Sequence, residues 1–164
     1  MSKFQKTAIA VVGVILVALI IATVAVFVYK QNDSGFVPPE ADANALSGYP
    51  TVIDEYAQYQ NIRMNEDFAF SMALCPLYVN GKAEVYFANS KDSKAYGLIK
   101  LYDSDGNLIG ESGLVKPGKY VQSVEISLVP KRDTEISVRV LSYEPKTYYS
   151  LGTVSGKLSL RMVN

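Results

Sequence analysis

Asp103-Ser104-Asp105-Gly106-Asn107 is the stretch with the most obvious chemical content, because alternating carboxylates before a glycine suit a hard cation such as calcium. The spacing argues against it. A helical calcium loop places its glycine sixth and ends on a bidentate glutamate at the twelfth position, whereas here Gly106 is fourth and Leu114 is twelfth. A hairpin turn accounts for the same residues. Ser112, in Gly110-Glu111-Ser112-Gly113, falls short of the Gly-x-Ser-x-Gly elbow of serine hydrolases and has no helical pattern after it. The chain contains no histidine, which removes the commonest general base and metal ligand, so a serine nucleophile would need a lysine base. Ser71-Met72 begins like the nucleophile motif of membrane-anchored signal peptidases, but Ala73, Leu74 and Cys75 intervene before the expected proline, Pro76. Cys75 is the sole cysteine, so it closes no internal disulfide, and no helix N-terminus or base stands near it to activate the thiol. The neighbouring carboxylates Asp54-Glu55 and Glu66-Asp67 would point to opposite faces of a strand and cannot act as a glycosidase pair. The sequence therefore predicts no enzyme, with no catalytic, cofactor-binding or metal-ligating residue. Tyrosine is the compositional excess, with 12 residues, and Tyr143, Tyr148 and Tyr149 cluster about one predicted loop. Tyrosine offers a large contact area and a hydroxyl at little entropic cost, so these three form the expected contact surface.

The chain has 164 residues, room for one domain after any targeting segment. Ala8 to Tyr29 is uncharged and rich in Val, Ile, Leu and Ala; as a helix rising about 1.5 Å per residue it would match a bilayer core. Lys3 and Lys6 precede it, while beyond Lys30 come Asp33, Glu40 and Asp42, so the N-terminus is expected in the cytoplasm. The apolar run continues through Val26, Phe27 and Val28 past the small residues where a signal peptide would be cut, favouring an uncleaved anchor. Of the 16 basic residues, these three lysines flank the segment, leaving 13 against 16 acidic ones beyond it, a net of about −3. That balance offers no basic field for nucleic acid.

Gln31 to Gly48, with Asp33-Ser34-Gly35 and Pro38-Pro39, reads as a tether, and Pro50 to Ala57 as an irregular or short helical entry. The pattern then acquires a period of two. Phe68, Phe70 and Met72 alternate with Ala69, Ser71 and Ala73; Val85 and Phe87 alternate with Glu84, Tyr86 and Ala88. Alternation returns at Leu98–Tyr102, Val124–Leu128, Ile136–Val140 and Leu158–Met162. Asn80-Gly81, Asp103 to Asn107, Pro117-Gly118, Pro130 to Asp133 and Ser155-Gly156 mark chain reversals between them. Seven or eight short strands at this spacing predict an all-β, antiparallel Ig-like or jelly-roll sandwich preceded by one N-terminal transmembrane helix.

Gly97 to Asp103, Asp105 to Ile109, and Ser112 to Gly118 together resemble small N-terminally anchored β-sandwich proteins of Gram-positive bacteria and their mobile elements. The resemblance covers roughly the last hundred residues and implies the same anchored sandwich, with no activity attached. The expected organisation is a cytoplasmic N-terminus at 1–7, a transmembrane signal anchor at 8–29, a linker and entry segment at 30–56 and an extracytoplasmic sandwich at 57–164. The expected function is a non-catalytic interaction or accessory module of a cell-envelope assembly, single-pass in the cell membrane with its C-terminal domain outside. Its partners would be the lipid bilayer through 8–29 and another envelope protein, with no nucleic acid and no cofactor. The alternative is a module binding cell-wall or surface carbohydrate, favoured by the tyrosines and opposed by the absence of tryptophan.

Overall fold

A computed structural model describes residues 37–52 and 54–162, together with Leu19. The expected cytoplasmic N-terminus and, Leu19 apart, the expected anchor lie outside the described residues, as does the first part of the expected linker. Among the described residues no helix is long and apolar enough to cross a membrane.

The residues from Pro38 onward form a unit of their own. Their strands, in chain order, are β1 (Leu46–Ser47), β2 (Tyr59–Arg63), β3 (Ala69–Ala73), β4 (Leu77–Val79), β5 (Lys82–Glu84), β6 (Phe87–Asn89), β7 (Tyr96–Tyr102), β8 (Leu108–Glu111), β9 (Lys119–Val121), β10 (Val124–Glu125), β11 (Thr134–Tyr143) and β12 (Ser150–Met162). They make an all-β, mostly antiparallel sandwich: a five-stranded sheet in the order β1-β9-β6-β3-β2 and a seven-stranded sheet in the order β10-β5-β4-β12-β11-β7-β8. The exception is the parallel pairing of β12 with β4, Arg161 opposite Leu77 and Met162 opposite Tyr78.

Alternation drives the packing. Phe68, Phe70 and Met72 turn inward from one sheet to meet Ile99, Leu101, Ile136, Val140, Leu158 and Leu160 from the other, all nearly free of solvent contact. The ring of Phe70 lies 5.5 Å from that of Phe68 and 5.6 Å from that of Phe87, within the usual range for tilted aromatic contacts. The two ends of the seven-stranded sheet approach each other, because Ser127 N–H donates to Ile109 O at 2.8 Å from the chain leaving β10. Gly110 makes this seam possible: a Cβ there would stand 2.3 Å from the Glu125 carbonyl oxygen. The sandwich is therefore almost a barrel, and two of its open edges are stitched together.

Four local expectations are corrected. The Val85–Phe87 alternation is not one strand. At Tyr86 the backbone turns left-handed, with φ 46°, and carries the chain from β5 in one sheet to β6 in the other. Tyr86 is consequently 3% exposed and not outward-facing. Its N–H donates to Gln122 O, and its ring fills a second small core with Ala57 and Ala73. Ser155-Gly156 is not a reversal. It lies inside β12 opposite Arg139 and Val138, and the chain turns instead between Tyr143 and Ser150. The expected tether is tied down over its second half, where Ala41 bridges Leu114 and β1 pairs with β9. Gly113 admits this strap, since a Cβ there would stand 2.6 Å from the Asp42 backbone. Finally, the described chain has twelve strands against the seven or eight expected, several of them too short to show a period.

Candidate functional site

The expected contact surface is built at one end of the seven-stranded sheet. Long paired strands deliver it: Tyr143, at the end of β11, lies opposite Ser150 of β12 on one side and Tyr96 of β7 on the other. Residues 144–149 then reverse the chain, with Glu144 N–H donating to Tyr149 O and Tyr148 N–H donating to Glu144 O, both at 2.9 Å. The Glu144 carboxylate holds the turn from inside. It accepts from the Lys146 N–H at 2.9 Å, the Thr147 N–H at 2.5 Å and the Thr147 hydroxyl at 2.7 Å. The Thr147 bonds hold its pKa below the ordinary glutamate value, with a smaller contribution from the charge of Lys146.

That turn places Tyr148 in the left-handed region, φ 57°, and aims its ring at Tyr96, with centroids 6.4 Å apart and tilted by 58°. The Lys116 ammonium stands 5.9 Å from the Tyr96 centroid, within cation–π reach. Tyr149 points away from this cluster and is 75% exposed, with Leu151 beside it in sequence at 45%. Of the three predicted contact residues, the fold thus brings Tyr143 and Tyr148 to Tyr96 and leaves Tyr149 reaching into solvent. Tyr96 and Lys116 were not singled out in sequence. The strand register joins Tyr96 to the loop, and the Gly97–Val115 bridge brings Lys116 beside it.

A concavity of about 790 Å³ opens where the strap Pro39–Asn44 passes Ser112, Gly113 and the chain at Gln122–Glu125, with Tyr143 on its border. Two ion pairs line it, Lys100 with Glu111 at 2.9 Å and Lys82 with Glu125 at 3.3 Å. The Glu111 contact raises the Lys100 pKa. Four of its six charged groups thus pair with one another, Asp42 accepts the Asn44 and Gly113 N–H groups, and Glu40 has no ion pair among the described residues.

The residues weighed for chemistry are occupied structurally. Ser112 Oγ accepts the Ile99 N–H at 3.1 Å and donates to Gly113 O at 2.8 Å. Ser71 Oγ donates to Asn61 Oδ1. The Asp103 carboxylate accepts from the N–H groups of Asp105 and Asn107 and from the Asn107 side-chain amide, which lowers its pKa and spends its oxygens on the turn. Asp54 pairs with Arg161, whose guanidinium also donates to Cys75 O at 3.1 Å and covers Tyr56. Among the described residues no three of His, Cys, Asp and Glu gather where they could hold a metal ion. No protein family, curated protein or solved structure was found to match this chain.

Proposed function

We propose that the chain is an envelope-anchored, non-catalytic interaction module whose partner is another protein, met by the loop that carries Tyr148 and Tyr149. In this reading residues 8–29 hold it in the cell membrane with residues 1–7 in the cytoplasm, a short tether precedes the strap at Ala41, and the sandwich works outside. The carrying observation is the turn at Glu144: a carboxylate accepting three hydrogen bonds fixes two adjacent tyrosines in different directions, one against Tyr96 and one into water. A pre-ordered aromatic surface loses little freedom on binding, and anchoring raises its local concentration. The absence of tryptophan, whose large flat ring suits stacking on sugars, favours a protein over a glycan partner.

The test is capture from native membranes with the full chain, native and Tyr148→Ala plus Tyr149→Ala. A reproducible protein partner lost in the double variant is expected. No partner, or a partner indifferent to both tyrosines, would remove this assignment; retention on cell-wall polysaccharide lost in the same variant would give the face to a glycan. Alkaline extraction should leave the full chain with the membranes, and its appearance in the soluble fraction would remove the anchor.

A further inference from the structure

β12 is paired along its whole length on only one side. Its partner β11 runs beside it from Ser150 to Leu160, but β4 joins the other side only at Arg161 and Met162. Ser159 N–H donates to Leu74 O at 3.0 Å and Arg161 N–H to Pro76 O at 2.9 Å, so odd-numbered residues here turn their backbone groups away from β11. By the same alternation, the N–H and C=O groups of Thr153, Ser155 and Lys157 face outward, and no strand of the described chain lies beside them. This lane is bounded by the Leu74–Pro76 chain at one end and by the irregular pairing near Gly152 at the other.

It carries few of the usual guards against edge pairing. Thr153-Val154-Ser155-Gly156-Lys157 has no proline, and its one charge is paired with Glu135 at 2.5 Å. The open edge of β2 differs, since it ends on Arg63, which has no ion-pair partner among the described residues.

We infer that the Thr153–Lys157 edge pairs with the same edge of a second copy of this chain, antiparallel about a two-fold axis through Ser155. The register follows from the residues. With Ser155 opposite Ser155 of the second copy, Thr153 lies opposite Lys157 and every outward backbone group finds a partner, about six hydrogen bonds in all. Centring on Lys157 would set ammonium against ammonium and run into the Leu74 lane; centring on Thr153 would run into the irregularity at Gly152. Threonine, serine and glycine bring little bulk or side-chain entropy to such a ribbon. Such a two-fold contact is self-complementary and closes at two copies.

The experiment uses the full chain in membranes, carrying Cys75→Ser to remove the native thiol, and a short bis-maleimide cross-linker. Ser155→Cys should give the dimer as its main product, because directly opposed Cα atoms are about 5.5 Å apart. Thr153→Cys or Lys157→Cys alone should give little, since like positions then lie about 13 Å apart along the strands, while the two variants expressed together should cross-link to each other. Adding Ser155→Pro to that pair should abolish the product. Proline removes one outward N–H and no bond to β11, and resistance of the domain to protease reports that it still folds. Cross-linking no stronger at Ser155 than at Thr153 overturns the inference. Loss of another protein's capture in Ser155→Pro, with no self cross-link at Ser155→Cys, also overturns it and gives the edge to that protein. Partner capture through Tyr148 and Tyr149 is a separate reading and can fail or hold independently.

Discussion

Gly110 and Gly156 are both strand glycines outside the left-handed region, yet alanine should act on them in opposite directions. At Gly110 the added Cβ would meet the Glu125 carbonyl oxygen at 2.3 Å, where real contacts essentially never fall below 3.0 Å. Backbone cannot swing aside as a side-chain tip can, so β8 and β10 must separate by at least about 0.7 Å. The seam bond from Ser127 N–H to Ile109 O would stretch beyond use. Overpacking of this kind costs about 1–3 kcal/mol and the lost bond about 1 kcal/mol, so Gly110→Ala should destabilise the fold by about 2–4 kcal/mol. For a domain of this size that corresponds to a fall in melting temperature of about 10 °C. At Gly156 the added carbon would meet only Val138 Cγ1, at an ordinary 3.7 Å. There the restriction of the unfolded chain dominates, and Gly156→Ala should stabilise by about 0.4–1 kcal/mol. Thermal unfolding of the two variants beside the native chain, followed by circular dichroism near 215 nm, tests both signs at once. Equal melting temperatures for Gly110→Ala and the native chain would refute the closed seam.

Three further outcomes follow from the same geometry. Asn89 is fully buried and its amide donates to Ala95 O at 2.8 Å and Val115 O at 2.9 Å; Val115 O keeps the Gly97 N–H, so Asn89→Ala should cost about 1–3 kcal/mol in chemical denaturation by stranding the Ala95 carbonyl. Phe70→Ala, at the centre of the aromatic row, should cost about 3–5 kcal/mol in the same assay. The Glu144 carboxyl titrates below its ordinary value of 4.5 in the folded chain, so its stabilisation of the turn is present above that value and is lost as pH falls through the folded pKa. Amide protection at Lys146 and Thr147, taken relative to intrinsic exchange at each pH, should fall in that acid range, and in Glu144→Gln it should already be low at neutral pH and insensitive to acid.

Alternation made the core legible before any coordinates. Phe68, Phe70, Met72, Ile136, Val138, Val140, Leu158 and Leu160 all face inward, because period-two burial is a local property of each strand. The Asn80-Gly81 and Asp103 to Asn107 turns were legible for the same reason, since positive φ at Asn80, Gly81 and Gly106 is a demand on individual residues. What escaped depends on distant partners. Nothing near Tyr86 announces a change of sheet, which is imposed by Gln122 and by the small core around Ala57. The strap at Ala41 has tether composition and is ordered by Leu114, remote in sequence. Ser155-Gly156 has turn composition and is held straight by ten-residue β11. Tyr96 joins the Tyr148 cluster through register alone.

The position of β12 in its sheet governs how the domain can be made. It is the last strand of the described chain, yet it lies third in from neither margin but between β4 and β11, near the middle of seven. Until its residues emerge from the ribosome, the earlier strands can form hairpins but cannot knit into this one sheet, and both β4 and β11 stay open to wrong neighbours. Maturation must therefore wait until β12 itself has been made. Shortened products that stop before Leu158 would be substrates for quality-control proteases.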